Sequence, residues 1–319
     1  MKFSLHSVHG GVKNIDEIHK RAVRAEELGY HGIFLGESHL SSIDSFQTLA
    51  SCAMITNRVL LGIAVTNMVF RHPTVLAGAA ASLNEISEGR AILGLGTGDG
   101  PVYSQGLKAT PIKQFEEGVR MVRELVQGKA IKFPTGNVGI SFNLRPTPVY
   151  VSAEGPKGLQ LAGRCADGVI LGTGFDLRVY EWAKQKIRDG AAEAERNAGD
   201  IAIVAAGMLC VREDGTEARK IVRNRIANRA QFPLCLRNRP AERAGRREKI
   251  RGRLRRHETN GRARRPRSRE RLSGAALFHR RHAQRMHRKN RRVKSRRSRA
   301  PHAYASAESV WRDRRSVCR

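Results

Sequence analysis

Short apolar runs alternate with longer amphipathic stretches through the first 230 residues, and this alternation limits the possible folds more than any other feature of the sequence. In residues 14–28, for example, apolar residues recur every three or four positions, which predicts a helix that Gly29 ends. The short runs are apolar on both faces, as in a parallel sheet that helices cover. Strict alternation of strands and helices predicts the α/β class.

The pattern predicts seven strand–helix units. The predicted strands are residues 3–8, 32–35, 59–65, 91–95, 148–153, 167–171 and 201–211. The predicted helices are residues 14–28, 44–55, 73–86, 111–127, a short one from residue 156, 177–197 and 216–230, with an irregular insertion or hairpin at 128–146. An eighth unit would close a (β/α)8 TIM barrel of about 250 residues. We therefore predict an α/β barrel over residues 1–230 that is incomplete before its eighth unit, with an open doubly wound sheet as the alternative.

Residues 231–319 have a different composition. They carry 31 of the 59 Lys and Arg residues but 6 of the 29 Asp and Glu residues, so most of the net charge of +30 lies there. Like charges at this density repel, and few apolar residues remain to offset the chain entropy, which predicts a disordered basic tail. Three interpretations stay open: a frameshifted, out-of-frame segment, a natural solvated tail, or an arm that binds nucleic acid.

The remaining composition indicates a cytoplasmic protein. The five cysteines are scattered without a Cys-x-x-Cys motif, the first residues lack the apolar core of a signal peptide, and no apolar stretch reaches 18 residues. We expect no membrane association. Histidine and cysteine spacings that are typical of metal sites are missing from the sequence, so we predict no metal.

The loops that follow the predicted strands carry the candidate chemistry, because barrel active sites lie at the carboxyl ends of the strands. Several of these loops are rich in glycine beside a helix start, which favours a ligand that bears a phosphate. His39 directly follows the second strand, and histidine is the side chain that most often acts as a general acid or base, so it is the candidate catalytic residue. Asp99 and Glu154 could bind hydroxyl groups, His72 is expected to cap a helix, and His6 and His9 are left open.

Four segments together carry a family resemblance. They are residues 25–34, residues 58–67, residues 71–98 and residues 148–171. These segments resemble the bacterial luciferase-like superfamily, and the last is most similar to its methylenetetrahydromethanopterin reductase branch. The resemblance covers residues 1–230.

The resemblance implies a TIM barrel that binds flavin mononucleotide (FMN) or the 8-hydroxy-5-deazaflavin coenzyme F420. In deazaflavin members a bulge with a non-prolyl cis peptide after the third strand supports the ring, and Gly62-Ile63 matches that position. The predicted cofactor-binding residues are Gly62, Ile63, Ala64, Thr66, Gly96, Thr97, Gly98, Glu154, Gly155, Pro156, Lys157, Gly172, Thr173 and Gly174.

His39 matches a histidine near the reacting ring face in several deazaflavin dehydrogenases. Those enzymes often have Asp before this histidine, where Ser38 stands here, and no obvious Glu follows the fourth strand, so Asp99 could substitute for it.

The resemblance predicts hydride transfer between the cofactor and a small organic substrate, by a reductase or a monooxygenase, and a homodimer. Two alternatives stay open: a non-redox barrel enzyme that acts on a phosphorylated metabolite, and an inactive frameshifted product.

Overall fold

Seven parallel strands form one curled sheet in this computed structural model, in the order β1-β2-β3-β4-β7-β8-β9. The structure describes residues 1–6, 14–142 and 145–229, all within the unit Met1–Arg239. The predictions for residues 231–319, and His9, lie outside the described residues. The seven strands are β1 Ser4–His6, β2 Gly32–Leu35, β3 Leu60–Asn67, β4 Ala91–Gly96, β7 Val149–Ser152, β8 Gly168–Leu171 and β9 Ala202–Ala205.

Helices follow the strands along the chain and cover the outer face of the sheet. They are α1 Ile15–Glu27, α2 Ser45–Ala53, α3 Pro73–Ile86, α4 Gly100–Ser104, α5 Ile112–Val126, α6 Pro156–Cys165, α7 Leu177–Glu193 and α8 Gly215–Arg229. Strands that follow each other in the sequence are also neighbours in the sheet. A doubly wound sheet reverses its strand order at a switch point, so the sequential order confirms the prediction of a barrel-type α/β fold.

The outer face of the sheet packs against the helices in one continuous core. Alternate strand residues such as Leu61, Ile63, Leu93 and Leu95 are at most 1% exposed and contact apolar side chains of the helices. Because successive side chains of a strand point to opposite faces, the residues between them, such as Gly62 and Gly94, lie on the inner face. Helices such as α1 and α5 are amphipathic and bury their apolar stripe in this core.

Most differences from the predicted elements lie at their ends or in the insertion. The insertion contains an antiparallel hairpin, in which β5 Ile131–Phe133 pairs with β6 Gly136–Val138. The last predicted strand, residues 201–211, is wrong in length because β9 ends at Ala205. The predicted helix 177–197 ends at Glu193, and a short 3-10 turn follows at Ala198–Asp200. Helix α4 was missed, because five residues are too few to establish a period.

Candidate active site

A cleft of about 720 Å³ opens at the carboxyl ends of β3, β4 and β7. This is the edge at which barrel enzymes carry their active sites, and the volume lies within the usual range of small-molecule pockets. The cleft is lined by Glu37, Val65, Thr66, Asn67, Gly96, Thr97, Gly98, Asp99, Pro101, Tyr103, Ile112, Phe115, Val151, Ser152, Ala153, Glu154, Gly155, Pro156, Lys157, Gly158, Arg178, Val179 and Trp182.

The floor of the cleft contains a bulge in β3. The register between β3 and β4 shifts between Ile63 and Thr66, and the peptide bond Ala64–Val65 within this segment is cis. We predicted this feature at Gly62-Ile63, which was wrong by two residues. The reason is that Gly62 pairs regularly with Phe34 on β2 and Ile92 on β4, so the strand is still regular at that point.

Two glycines of β4 make room for the bulge. A Cβ atom at Gly94 would collide with the carbonyl oxygen of Ile63, and a Cβ at Gly96 would lie 2.9 Å from Cγ2 of Val65. Side chains at these positions would therefore push the bulge away from β4. These two glycines of β4 thus act partly through the packing of β3.

A buried ionic group lies beside the bulge, and we call it the Glu37 cluster: Glu37, Asp44, Thr66 and Arg71. Arg71 Nε donates to Glu37 Oε1 at 2.8 Å, Arg71 also pairs with Asp44, and the Thr66 hydroxyl donates to Glu37 Oε2. Burial disfavours the charged guanidinium, but the carboxylates of Glu37 and Asp44 outweigh it and raise the pKa of Arg71. The guanidinium of Arg71 is therefore held in its charged form.

The first turn of α6 forms the opposite wall of the cleft. Gly155 is the N-cap residue, and it has no side chain to bond the backbone N–H groups of the first turn. Gly155, Pro156, Lys157 and Gly158 all line the cleft. Free N–H groups at the start of a ten-residue helix, with the positive end of its dipole, attract an anion.

Helix α7 contributes the outer rim. Arg178 and Trp182 lie one turn apart on α7 and both line the cleft. The guanidinium of Arg178 pairs with Asp176, the N-cap residue of the same helix, at 2.7 Å. Trp182 also packs against the core, so its position is fixed relative to the sheet.

His39 lies outside this cleft, in a neighbouring pocket of about 290 Å³. The pocket is lined by Ser38, His39, Leu40, Ser41, Gly100, Pro101, Ser104 and Gln105. Nε2 of His39 is 3.0 Å from Nε2 of Gln105, and the imidazole contacts the ring of Phe70 edge-on. Pro101 lines both spaces, so the histidine is adjacent to the cleft.

The cleft brings together more than half of the predicted cofactor-binding residues. Those that line it are Thr66, Gly96, Thr97, Gly98, Glu154, Gly155, Pro156 and Lys157, together with Asp99. Those outside its lining are Gly62, Ile63, Ala64, Gly172, Thr173 and Gly174, and their roles stay predictions. Gly174 donates its N–H to the carbonyl of Ala206, which joins the loops after β8 and β9.

The other histidine predictions have different outcomes. His72 caps α3 as predicted, since its side chain accepts from the backbone N–H of Thr74 at 3.3 Å. His6, which the sequence left open, reaches across the sheet, and its Nε2 lies 2.7 Å from the carbonyl oxygen of Ala64 in the bulge.

Sequence reasoning missed several residues of the cleft. Glu37 follows β2 and Asn67 is the last residue of β3, but nothing in their spacing marks them as buried. Tyr103, Arg178 and Trp182 lie on α4 and α7, where their helical positions alone give no signal of a ligand. Only the fold brings these elements to one edge of the sheet.

Other kinds of chemistry find little support in the part of the chain that the structure describes. No group of three or more His, Cys, Asp or Glu side chains there could hold a metal ion. Burial raises the pKa of the Cys52 and Cys165 thiols to about 11, so neither is a reactive thiolate at neutral pH. None of the described helices combines the length and apolar character that crossing a membrane requires.

The fold and the position of the cleft define a barrel-type α/β protein with a cleft at the carboxyl edge of its strands. The family model of the luciferase-like monooxygenases matches residues 2–293, and the chain belongs to this family. The match extends into the arginine-rich segment.

Curated relatives and solved structures are similar to the chain. The chain is 32% identical over 210 residues to the 5,10-methylenetetrahydromethanopterin reductase of Archaeoglobus fulgidus. The aligned part covers 64% of this chain and 63% of the relative. The chain thus spans less than two thirds of the length of this reductase and of two other curated 5,10-methylenetetrahydromethanopterin reductases.

Two solved structures have a similar fold. The coenzyme F420-dependent tetrahydromethanopterin reductase of Methanopyrus kandleri superposes with a TM-score of 0.62 at 24% identity, over 71% of each chain. A monooxygenase from Streptomyces bottropensis superposes with a TM-score of 0.56 at 27% identity, over 74% of this chain and 80% of the other.

Proposed function

We propose that this protein is an oxidoreductase that binds coenzyme F420 or FMN in the cleft and transfers hydride between it and a small organic substrate. The proposal rests on two features that line the same cleft. One is the bulge of β3, and the other is the first turn of α6, whose N-cap residue makes no side-chain hydrogen bond. The family and the reductases among the relatives support the same chemistry.

The residues of the cleft fit such a cofactor at its phosphate end. FMN and F420 both carry a phosphate on a chain attached to a tricyclic ring. Gly155 and Gly158 let the backbone approach a ligand, and Lys157 adds a positive charge at the start of α6. Thr97 and Gly98, with Gly98 at φ +103°, would hold the connecting chain from the β4 side.

The ring end would lie over the bulge of β3, on residues 64–66. The bound cofactor supplies the hydride chemistry, while the protein orients the ring and keeps water away from it. Apolar side chains such as Val65, Phe115 and Val151 line the cleft and would exclude water there. His39, in the adjoining pocket, would exchange a proton with a substrate that enters from that side.

A fluorescence titration tests the proposal. The chain has two tryptophans, so a Trp311→Phe variant leaves Trp182 as the only reporter, and Trp182 lines the cleft. Both cofactors absorb where tryptophan emits, so binding should quench Trp182 in a saturable way. The preferred cofactor is the one that binds more tightly. If neither quenches, and a phosphorylated sugar protects the protein against thermal unfolding instead, the non-redox alternative replaces this proposal.

Two further expectations belong to the proposal. A homodimer follows from the resemblance to the family and can be tested by light scattering of the purified chain. A cytoplasmic location is consistent with the scattered cysteines and can be tested by cell fractionation.

A further inference from the structure

Glu37 contacts the bulge of β3 through both its backbone and its side chain. Its backbone N–H donates to the carbonyl oxygen of Val65 at 3.2 Å, and its carboxylate accepts from the hydroxyl of Thr66. Val65 and Thr66 are consecutive residues at the point where the register between β3 and β4 shifts. Glu37, two residues after the end of β2, therefore binds two consecutive residues of the bulge.

The carboxylate of Glu37 is itself anchored. Only 3% of its side chain is exposed, and Arg71 holds it while pairing with Asp44. Asp44 is the N-cap residue of α2 and accepts from the backbone N–H of Gln47 at 3.0 Å. The Glu37 cluster is therefore bonded to the start of that helix. The ring of Phe46 lies 5.1 Å below the guanidinium of Arg71, which adds a cation–π contact.

We propose that Glu37 is a positioning residue for the cofactor ring, because it holds the bulge that supports the ring. This inference rests on the proposed function. The Thr66 hydroxyl is fully buried and donates to a carboxylate, which is a stronger acceptor than an amide. With a neutral amide at position 37, the bulge would lose this charge-assisted bond and Arg71 would lose one of its two counter-charges.

The chain offers a matched control at the other end of the same strand. Glu26 accepts from the backbone N–H groups of Asn57, Arg58 and Val59, just before β3 begins, at 2.6 to 3.0 Å. Glu26→Gln and Glu37→Gln therefore make the same chemical change at opposite ends of β3. Both remove a carboxylate that holds the strand, but only Glu37 lines the cleft.

The experiment compares the two variants in the Trp311→Phe background, with FMN and F420 as probes. We expect both variants to melt at a lower temperature than the parent. Glu37→Gln should weaken cofactor binding by about tenfold, because a displaced support misplaces the ring, whereas Glu26→Gln should bind as the parent does. Equal affinities in the two variants overturn the inference while the proposed function stands. A parent protein that binds neither cofactor overturns both.

A second variant covers the case in which Glu37→Gln does not fold. Thr66→Val keeps the shape of a buried side chain and leaves the pair of Glu37 and Arg71 intact, but it removes the side-chain hydrogen bond between the bulge and Glu37. We expect the same loss of cofactor affinity. Binding equal to that of the parent overturns the inference.

Discussion

The ring of Phe34 lies directly over Gly62, its paired neighbour on the adjacent strand. A Cβ atom at position 62 would overlap the ring, so glycine is required there for packing. Tyr150 and Gly168 repeat the arrangement between β7 and β8, where a Cβ would approach the tyrosine ring to 2.6 Å. At two places in the sheet an aromatic ring thus lies over the glycine of the neighbouring strand.

Substituting Gly62 tests this packing. Gly62→Ala should destabilise the protein by about 1–3 kcal/mol, because the overlap with Phe34 exceeds the gain from a less flexible backbone. Urea unfolding followed by circular dichroism measures the change. Gly78→Ala is the control: Gly78 lies within α3 and a Cβ there meets nothing within 4 Å, so this change should stabilise by about 1 kcal/mol.

The anion site at α6 can be tested by comparing two ligands that differ by a phosphate. Lys157→Glu should weaken FMN binding by about tenfold, because it reverses a charge at the start of the helix, and should leave riboflavin binding unchanged. Titration of the fluorescence of Trp182 measures both affinities. Lys132→Glu, on the exposed residue of β5, makes the same change of net charge outside the cleft. Equal losses for FMN and riboflavin would contradict a phosphate site at Lys157.

An ionic group on the outer helices predicts a pH dependence of stability. Arg164 of α6 bonds both oxygens of Glu116 of α5, at 2.9 and 2.6 Å, and Glu193 of α7 at 2.7 Å. The hydrogen bonds from Arg164 outweigh burial and lower the pKa of Glu116 from 4.5 to about 2. Since the folded pKa is depressed, this stabilisation is complete above pH 4.5 and is lost as the pH falls towards 2.

Glu116→Gln should therefore lower the free energy of unfolding by about 2 kcal/mol at pH 7. The difference from the parent should shrink as the pH falls from 4.5 towards 2. Urea unfolding at a series of pH values measures it. Glu17→Gln is the control, because Glu17 pairs with Arg21 on the exposed side of α1, where such a pair contributes at most about 0.5 kcal/mol. A constant difference across the pH range would show that the Glu116 carboxylate is not the cause.

Because His39 lies in a pocket beside the cleft, we expect that a substitution at this residue affects catalysis without affecting cofactor binding. His39→Ala should leave cofactor affinity within about twofold of the parent, because the imidazole lies outside the cleft. With a turnover substrate, the same variant should lose a factor of about 100 or more in kcat, as expected for a general acid or base. Stopped-flow measurement of hydride transfer separates the two effects. Loss of cofactor binding without a change in kcat would exclude a catalytic role.

Local patterns in the sequence were sufficient for the order of the seven strands of the sheet and for all the helices but α4, and they predicted several of the loops that line the cleft. The period of apolar residues marks each helix, and glycine beside a helix start marks the loops at the carboxyl ends of the strands. Pro156 and Gly155 illustrate this, since both were predicted and both line the cleft. These features depend on residues within a few positions of each other, so the sequence alone determined them.

The tertiary structure decided the position of the bulge, the burial of Glu37 and the separation of His39 from the cleft. Each of these depends on strand register and on contacts between distant segments, such as Glu37 with Arg71 or Trp182 with the edge of the sheet. A shift of one residue in register would turn every side chain of a strand to the opposite face. No local pattern records which register packs best, because that depends on the fit of side chains such as Phe34 over Gly62.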